Sequence, residues 1–185
     1  MNLPNKLTVF RIILIPFLLI FILFDIIPLD IQIRRYIATA IFITASLTDA
    51  LDGYIARKYN LITNFGKFMD PLADKLLVTS TMIALIAMPD AIVPLDAWVV
   101  ILIIAREFFM TGFRTIAMEK NVVIAAGKSG KLKTIFQMFM IIFLLLNINN
   151  IIFTYISYGL IAISVFLTIY SLIEYVIKNK DILKG

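Results

Sequence analysis

Long apolar runs, separated by short polar connections, extend over almost the whole chain. The connections are rich in the proline, glycine, asparagine and aspartate residues that are typical of turns. A membrane-spanning helix needs about 20 mostly apolar residues, and six runs approach that length. The pattern predicts an all-α polytopic membrane protein in which one domain, 1–185, holds six transmembrane helices. The predicted spans are Leu7–Ile27, Ile37–Ile55, Phe68–Met88, Ala97–Ala117, Leu132–Leu146 and Ile151–Val176.

Composition agrees with this class and limits the available chemistry. Of the 185 residues, 62% are hydrophobic, which is more than a soluble domain of this size needs. The chain has no cysteine and no histidine, so proton transfer falls to carboxylates, lysine or tyrosine. The net charge of +5 does not indicate a nucleic-acid partner, because the basic residues lie mostly at the ends of the spans, where topology and anionic lipid explain them.

The distribution of lysine and arginine predicts the orientation in the membrane. Both termini and the second and fourth connections carry most of these residues, and such positive segments stay in the cytoplasm. The opposite side keeps Arg34 and Arg35, together with acidic residues such as Asp25 and Asp90. The start of the chain lacks the features of a signal or transit peptide. We therefore expect a multi-pass protein of the bacterial cell (inner) membrane, in contact with membrane lipids.

Four aspartates lie close together in the second and third predicted helices, at Asp49, Asp52, Asp70 and Asp74. The spacing within each pair, three and four residues, places its two side chains on one face of a helix. Because the two helices run antiparallel, we expect Asp49 level with Asp74 and Asp52 level with Asp70, in the cytoplasmic half of the membrane. Buried acids are very costly unless cations neutralise them. Oxygen ligands alone favour Mg²⁺, Mn²⁺ or Ca²⁺.

Three nearby residues could contact a phosphate ligand. Gly53 and Gly66 would let a ligand approach the helix backbone closely, although tight helix packing is the commoner reason for such glycines in membranes. Arg57, one turn after Gly53, could reach a phosphate.

The spacing of these residues resembles the signature of the CDP-alcohol phosphotransferase family, Asp-x2-Asp-Gly-x2-Ala-Arg-x8-Gly-x3-Asp-x3-Asp. The chain matches it at every fixed position: Asp49, Asp52, Gly53, Ala56, Arg57, Gly66, Asp70 and Asp74. The resemblance implies a six-helix homodimer that transfers a phosphate-linked group from a CDP-alcohol to another alcohol and releases CMP. It further implies two metal ions, Mg²⁺ or Mn²⁺, held by the four aspartates. Asp74 would also take the proton from the acceptor hydroxyl, and Gly53, Arg57 and Gly66 would help to hold the nucleotide.

The N-terminal segment from Pro4 to Arg11 has two interpretations. Locally it predicts a turn entering a helix, with Asn5 as the helix cap and Arg11 extending toward lipid headgroups. It also resembles the start of the bacterial members of this family that make phosphatidylglycerophosphate. That resemblance implies that Asn5 and Thr8 help to close the nucleotide pocket.

Basic residues in the second half of the chain are candidates for binding the acceptor phosphate. Arg106 lies deep in its span, where arginine either binds a phosphate or forms an ion pair with another helix. Lysines beside free backbone amides open the fifth helix and form a natural anion site, although lysines at this edge also set topology. This run is not a nucleotide-binding P-loop, because Val122 replaces the required glycine. The candidates are Arg106, Arg114, Lys128, Lys131 and Lys133.

The fifth-helix lysines also resemble those of the family members that make phosphatidylglycerophosphate. This resemblance implies CDP-diacylglycerol as donor and sn-glycerol 3-phosphate as acceptor. Acceptors such as inositol phosphate or serine would keep the same metal motif. From a different class, a divalent-cation transporter would also place acids in the membrane, but it would not need the Gly-x2-Ala-Arg element.

Overall fold

The computed structural model describes residues 2–59, 61, 63–88, 90–119, 122 and 127–180, apart from the side chains of Ala50, Arg57 and Lys67. Within these ranges the backbone forms six α-helices and no β-strand, which confirms the predicted all-α class. The helices are α1 (Leu3–Leu23), α2 (Ile31–Lys58), α3 (Asn64–Ile86), α4 (Ala97–Glu119), α5 (Lys128–Leu146) and α6 (Ile151–Lys178).

Polar caps, rather than the edges of the apolar runs, determine where α2 and α3 begin. Asp30 accepts a hydrogen bond from the Gln32 backbone N–H at 2.8 Å, so α2 begins well before the predicted start of its span. Thr63 accepts from the Gly66 N–H at 3.0 Å and starts α3 in the same way. Such side chains satisfy backbone donors that the first helical turn leaves without a partner.

The prediction that Asn5 caps α1 is wrong. The cap is Asn2, whose side-chain oxygen accepts a hydrogen bond from the Asn5 N–H at 3.2 Å. Proline in the first turn has no N–H to lose there, so Pro4 fits inside the helix. The helix therefore starts one turn earlier than predicted and leaves the Asn5 side chain available for contacts elsewhere.

The helices expose apolar side chains and bury polar ones, as membrane helices do. Ile26, Phe108 and Tyr155 are 76%, 70% and 70% exposed. By length and composition, α1, α5 and α6 can each cross a membrane, counted over the described residues. The other three helices interrupt their apolar runs with charged residues, including those of the candidate site. The chain is an all-α polytopic membrane protein. In α6 the buried side chains are Ser157, Ser164, Thr168, Ser171 and Tyr175.

The chain divides into two compact units, the first formed by Met1–Pro94 with Ile141–Ile148 and the second by Leu95–Met140 with Asn149–Gly185. In the first unit α1 packs against α2 and α3. In the second, α4 packs against α6, and the Phe113 and Tyr175 rings meet edge to face with centroids 5.3 Å apart. A single domain over the whole chain stays a prediction.

Ion pairs neutralise the two arginines that we predicted on the non-cytoplasmic side. Arg34 pairs with Asp25 and also donates to the Phe24 carbonyl at 2.7 Å, and Arg35 pairs with Asp90. Both arginines are buried. These contacts join the start of α2 to the segments that follow α1 and α3.

Asn147 connects the end of α5 to the segment after α3. Its backbone has φ 44°, a left-handed conformation that asparagine tolerates better than most residues. Its side chain accepts a hydrogen bond from the Ile92 N–H at 2.8 Å and donates to the Asp90 carbonyl at 3.1 Å. One residue thus ends a helix and satisfies two backbone groups.

We predict that Asn147→Ala destabilises the protein more than Asn147→Gly. Both variants lose the two hydrogen bonds, which costs about 1–3 kcal/mol when the partners stay buried. Alanine adds the strain of a left-handed backbone, about 1–2 kcal/mol. Thermal unfolding in detergent measures both effects. An unchanged midpoint in Asn147→Ala would show that this connection does not contribute to stability.

Candidate active site

Arg11 of α1 lies between the two aspartates of α2. One guanidinium nitrogen is 2.5 Å from Asp49 Oδ1, and the other terminal nitrogen is 2.5 Å from Asp52 Oδ2. Arg11 is completely buried, and 3% of the Asp52 side chain and 36% of the Asp49 side chain are exposed. The three-residue spacing places both carboxylates on one face of α2, as predicted, and this face contacts α1 through Arg11. The acidic face of α2 is therefore bound to α1 by one arginine.

This contact corrects the prediction that Arg11 extends to lipid headgroups. Thr8 and Arg11 share the buried face of α1 with the apolar residues Ile15 and Leu18. A long side chain on that face cannot reach the membrane surface, and it satisfies its charge with the nearby carboxylates instead.

The α3 aspartates belong to the same unit. Asp70 Oδ1 accepts a hydrogen bond from Thr8 Oγ1 at 2.6 Å, so α1 also contacts the acidic face of α3. Asp70 lies near enough to Asp52 for their negative charges to repel each other. The predicted alignment of Asp52 with Asp70 and of Asp49 with Asp74 stays a prediction. Asp74 follows one turn later on α3 and is partly buried.

Gly66 lies in a narrow polar cradle at the start of α3. A Cβ atom at this position would lie 3.1 Å from Asn5 Oδ1, 3.3 Å from Thr63 Oγ1 and 3.5 Å from Asp70 Oδ2. Thr63 also donates to Asn5 Oδ1 at 3.0 Å. Any side chain would crowd these oxygens, so the glycine lets the start of α3 pack closely against Asn5 and Thr63. The structure therefore brings Asn5, Thr8 and Gly66 to the acidic site.

The other two predicted nucleotide-binding residues, Gly53 and Arg57, lie on α2. Gly53 lies on α2 directly after Asp52 and is partly buried. Arg57 lies near the end of α2, and its side chain is outside the part of the structure that is described.

The donor chemistry of the acidic site fits a hard divalent cation. The four aspartates and the Thr8 hydroxyl supply only oxygen, and a cationic group already stands between Asp49 and Asp52. Among the described residues, no three acidic side chains converge tightly enough to hold one ion. The physical reason at Asp49 and Asp52 is that both carboxylates turn toward the Arg11 guanidinium.

A cavity of about 380 Å³ opens in the second unit, between residues of α4, α5 and α6. The N-terminus of α5 contributes Gly127, Ser129 and Gly130 to its wall. Backbone amides and the helix dipole make such a terminus favourable for an anion. We call this space the basic cavity; its charged lining consists of Arg106, Glu107, Arg114, Lys131, Glu174 and Lys178.

Glutamates and hydroxyls pair with the cations of the basic cavity. Arg106 lies 3.0 Å from Glu107 Oε1 and donates to Ser171 Oγ at 3.0 Å, which joins α4 to α6. Lys133 lies 2.6 Å from the same Glu107 oxygen. Glu174 pairs with Lys178 at 2.5 Å and accepts a short hydrogen bond from Ser129. The lining can therefore offer positive charge to a phosphate and carboxylate oxygens to hydroxyl groups.

Three of the five predicted acceptor residues line the basic cavity, namely Arg106, Arg114 and Lys131. Lys133 is buried and paired with Glu107 beside that wall, and Lys128 is exposed at the helix start, outside the lining. Of the three α5 lysines that we predicted to bind the acceptor phosphate, only Lys131 therefore lines the cavity.

Sequence reasoning missed the binding contacts of Arg11 and the two glutamates. Arg11 follows Thr8 by three residues, so a face shared by Thr8, Arg11 and Ile15 could have identified it as buried. Glu107 and Glu174 lie inside predicted spans, where acidic residues are rarely idle. That signal was available in the sequence.

The amino-acid sequence of this chain is similar to that of a known protein family and of several named proteins. The family described as CDP-alcohol phosphatidyltransferase matches residues 1–170. The CDP-diacylglycerol–glycerol-3-phosphate 3-phosphatidyltransferase of Bacillus subtilis is 44% identical over 99% of this chain and 97% of its own length. The protein of the same name from Rickettsia typhi is 43% identical over 79% of this chain and 77% of its own. A probable phosphatidylglycerophosphate synthase of Mycobacterium tuberculosis is 40% identical over 74% of this chain and 62% of its own.

The family match extends over α1, α2 and α3, which carry the acidic site, and over α4 and α5, which contribute most of the basic cavity. The α6 residues that line this cavity begin at Ser171, after the matched range. The resemblance seen in the aspartate spacing is confirmed by this match over most of the chain. The chain belongs to the CDP-alcohol phosphatidyltransferase family.

Proposed function

We propose that this protein transfers the phosphatidyl group of CDP-diacylglycerol to sn-glycerol 3-phosphate, giving phosphatidylglycerophosphate and CMP. The observation that carries the choice of acceptor is the basic cavity, which combines Arg106, Arg114 and Lys131 with the N-terminus of α5. The printed names of the Bacillus and Rickettsia relatives state the same donor and acceptor for those proteins.

The bond changes follow from the chemistry of the substrates. An acceptor hydroxyl oxygen attacks the phosphorus that carries the diacylglycerol, and the bond from that phosphorus to the bridging oxygen breaks. CMP leaves with the bridging oxygen. The acceptor proton passes to a base, for which we propose Asp74 from its place in the family signature.

The proposed roles of the acidic site follow from its oxygen donors. Asp49, Asp52, Asp70 and Asp74 would hold two divalent ions, Mg²⁺ or Mn²⁺, which when bound would stabilise negative charge on the pyrophosphate and on departing CMP. Thr8 orients Asp70 by its hydrogen bond.

We further propose that the cytidine nucleotide lies along the polar start of α1 and α3. The polar oxygens of Asn5, Thr63 and Asp70 lie close together around Gly66 there, which supports this placement. The proposed nucleotide-binding residues are Asn5, Thr8, Gly53, Arg57 and Gly66.

The basic cavity would bind the acceptor phosphate. Arg106 presents a planar set of donors that suits phosphate oxygens, and Ser171 holds it in place. A bound phosphate would compete with Glu107 and Glu174 for their cations. The freed carboxylates could then accept hydrogen bonds from the glycerol hydroxyls. These hydrogen bonds would make the cavity bind glycerol 3-phosphate more tightly than a phosphate without hydroxyl groups.

The membrane setting completes the proposal. Because the donor dissolves in the bilayer, the enzyme would act as a multi-pass protein of the bacterial cell membrane, with the acidic site toward the cytoplasm. The bias of lysine and arginine toward the predicted cytoplasmic ends supports this orientation. The family resemblance supports a homodimer.

We predict that purified protein in detergent, with Mg²⁺ or Mn²⁺ and CDP-diacylglycerol, releases CMP only when glycerol 3-phosphate is added. Asp74→Asn should lower kcat by at least about 100-fold, the usual contribution of a positioned base. Asp96→Asn is the matched control, because Asp96 is an exposed aspartate before α4 that contacts Trp98.

Three other results of this assay would change the account. Release with serine, inositol phosphate or glycerol in place of glycerol 3-phosphate would overturn the proposed acceptor and leave the reaction class. Full activity of Asp74→Asn would overturn the role of Asp74. No release with any acceptor would overturn phosphatidyl transfer itself.

We predict that Lys131→Gln and Arg114→Gln each raise the KM for glycerol 3-phosphate about tenfold or more. Losing a charged hydrogen bond costs about 1.5–3 kcal/mol, and 1.4 kcal/mol corresponds to tenfold in affinity. Both side chains are exposed on the wall of the cavity, so the fold should persist. The KM for CDP-diacylglycerol should stay the same. Lys180→Gln, which removes an exposed lysine outside the lining, is the control, and equal effects of all three substitutions would contradict this binding site.

A further inference from the structure

Arg11 makes an unusually complete contact with the acidic site. Its two terminal nitrogens each bind a different carboxylate at 2.5 Å, and none of its side-chain surface is exposed. A buried arginine is stable only when its charge and its donors are satisfied. The Asp49 and Asp52 carboxylates provide this for the terminal nitrogens.

The feature that distinguishes Arg11 from other buried arginines is its pair of acidic partners. Its Nε is buried and has no hydrogen-bond partner among the described residues, but the same is true of Arg34 and Arg106. Arg34 and Arg106 each form an ion pair with one acid, whereas Arg11 pairs with two that lie on one face of α2.

Charge balance shows why the site needs a cation at this position. Arg11 donates to Asp49 and to Asp52 at 2.5 Å each, so its positive charge lies between two carboxylates that would otherwise repel each other. A divalent ion bound to the same two carboxylate oxygens would meet the positive guanidinium at close range. The two cations cannot both occupy that position at low energy.

We propose that Arg11 is an internal counter-ion that competes with the metal for Asp49 and Asp52. Without the metal, Arg11 offsets one of the two negative charges on the acidic face of α2 and keeps that face packed against α1. Metal binding displaces the guanidinium from the carboxylates and frees its donors for the anionic oxygens of the donor substrate. This inference rests on the proposed metal site, and it adds a coupling between metal binding and the position of α1 side chains.

The test is Arg11→Met, studied without turnover. The variant keeps an unbranched side chain and removes the charge. Mn²⁺ binding is measured by titration calorimetry, and the stability of the metal-free protein is measured by thermal unfolding in detergent. The proposal expects opposite changes: the metal-free protein melts lower because Asp49 and Asp52 repel each other, and the Kd for Mn²⁺ falls.

The size of the expected gain follows from the population of the competing state. If Arg11 occupies the carboxylates at least about nine-tenths of the time, its removal tightens Mn²⁺ binding about tenfold or more. The rise in melting temperature produced by saturating Mn²⁺ should grow accordingly. Arg11→Lys, which keeps a smaller cation, should show weaker changes in the same directions and serves if Arg11→Met does not fold.

Arg34→Met is the matched control. Arg34 is also a buried arginine of the first unit with an aspartate partner, Asp25, but it lies at the start of α2. Its loss should lower the melting temperature and leave the Kd for Mn²⁺ unchanged. A variant that only destabilises the fold would therefore lower the melting temperature without lowering the Kd for Mn²⁺.

Two results would contradict the account at different levels. Weaker or unchanged Mn²⁺ binding in the Arg11 variants, with normal binding in the wild type, would show that Arg11 orients the carboxylates for the metal or acts only as a scaffold, and it would overturn the inference. Absence of Mn²⁺ binding in the wild type would overturn the proposed metal site instead.

Discussion

Neutralising clustered aspartates is the constraint on which the first unit depends. Two like charges on one helix face repel each other unless a cation lies between them, and α2 carries Asp49 and Asp52 in this way. Arg11 binds both, Thr8 binds Asp70, and together these contacts fix α1 against α2 and α3. The residues that hold the unit together are thus the residues to which we assign the handling of charged phosphates. On this proposal, stability and chemistry in the first unit depend on the same side chains.

In the second unit the charges are reversed: acidic side chains neutralise clustered cations. Glu107 pairs with Arg106 and Lys133, and Glu174 pairs with Lys178. Arg106, Lys178 and both glutamates line the basic cavity. Each glutamate contacts more than one polar partner, so the network remains satisfied when one contact is exchanged. An incoming phosphate can replace a carboxylate without leaving a buried charge alone. Both units therefore hold their charged groups in pairs that a ligand of matching charge can replace.

The sequence predicted the number of helices and the aspartate faces well, because helical period and apolar length are local properties. It placed the starts of α4 and α6 correctly but those of α1, α2, α3 and α5 four to six residues too late. Side-chain caps such as Asn2 and Asp30, rather than hydropathy, determine the starts of α1 and α2. The role of Arg11 was missed for another reason. The helical spacing of Thr8, Arg11 and Ile15 could have shown that Arg11 is buried, but its partners lie on a helix about 40 residues away, and no local pattern identifies them.

The central claim is that the four aspartates form the metal-dependent transfer centre. Anomalous scattering from crystals grown with Mn²⁺ and CDP-diacylglycerol tests it most directly. The account predicts two manganese positions bound by Asp49, Asp52, Asp70 and Asp74, next to the pyrophosphate, with the Arg11 guanidinium no longer between Asp49 and Asp52. Manganese bound only elsewhere, with the Arg11 pairs intact beside a bound pyrophosphate, would contradict it.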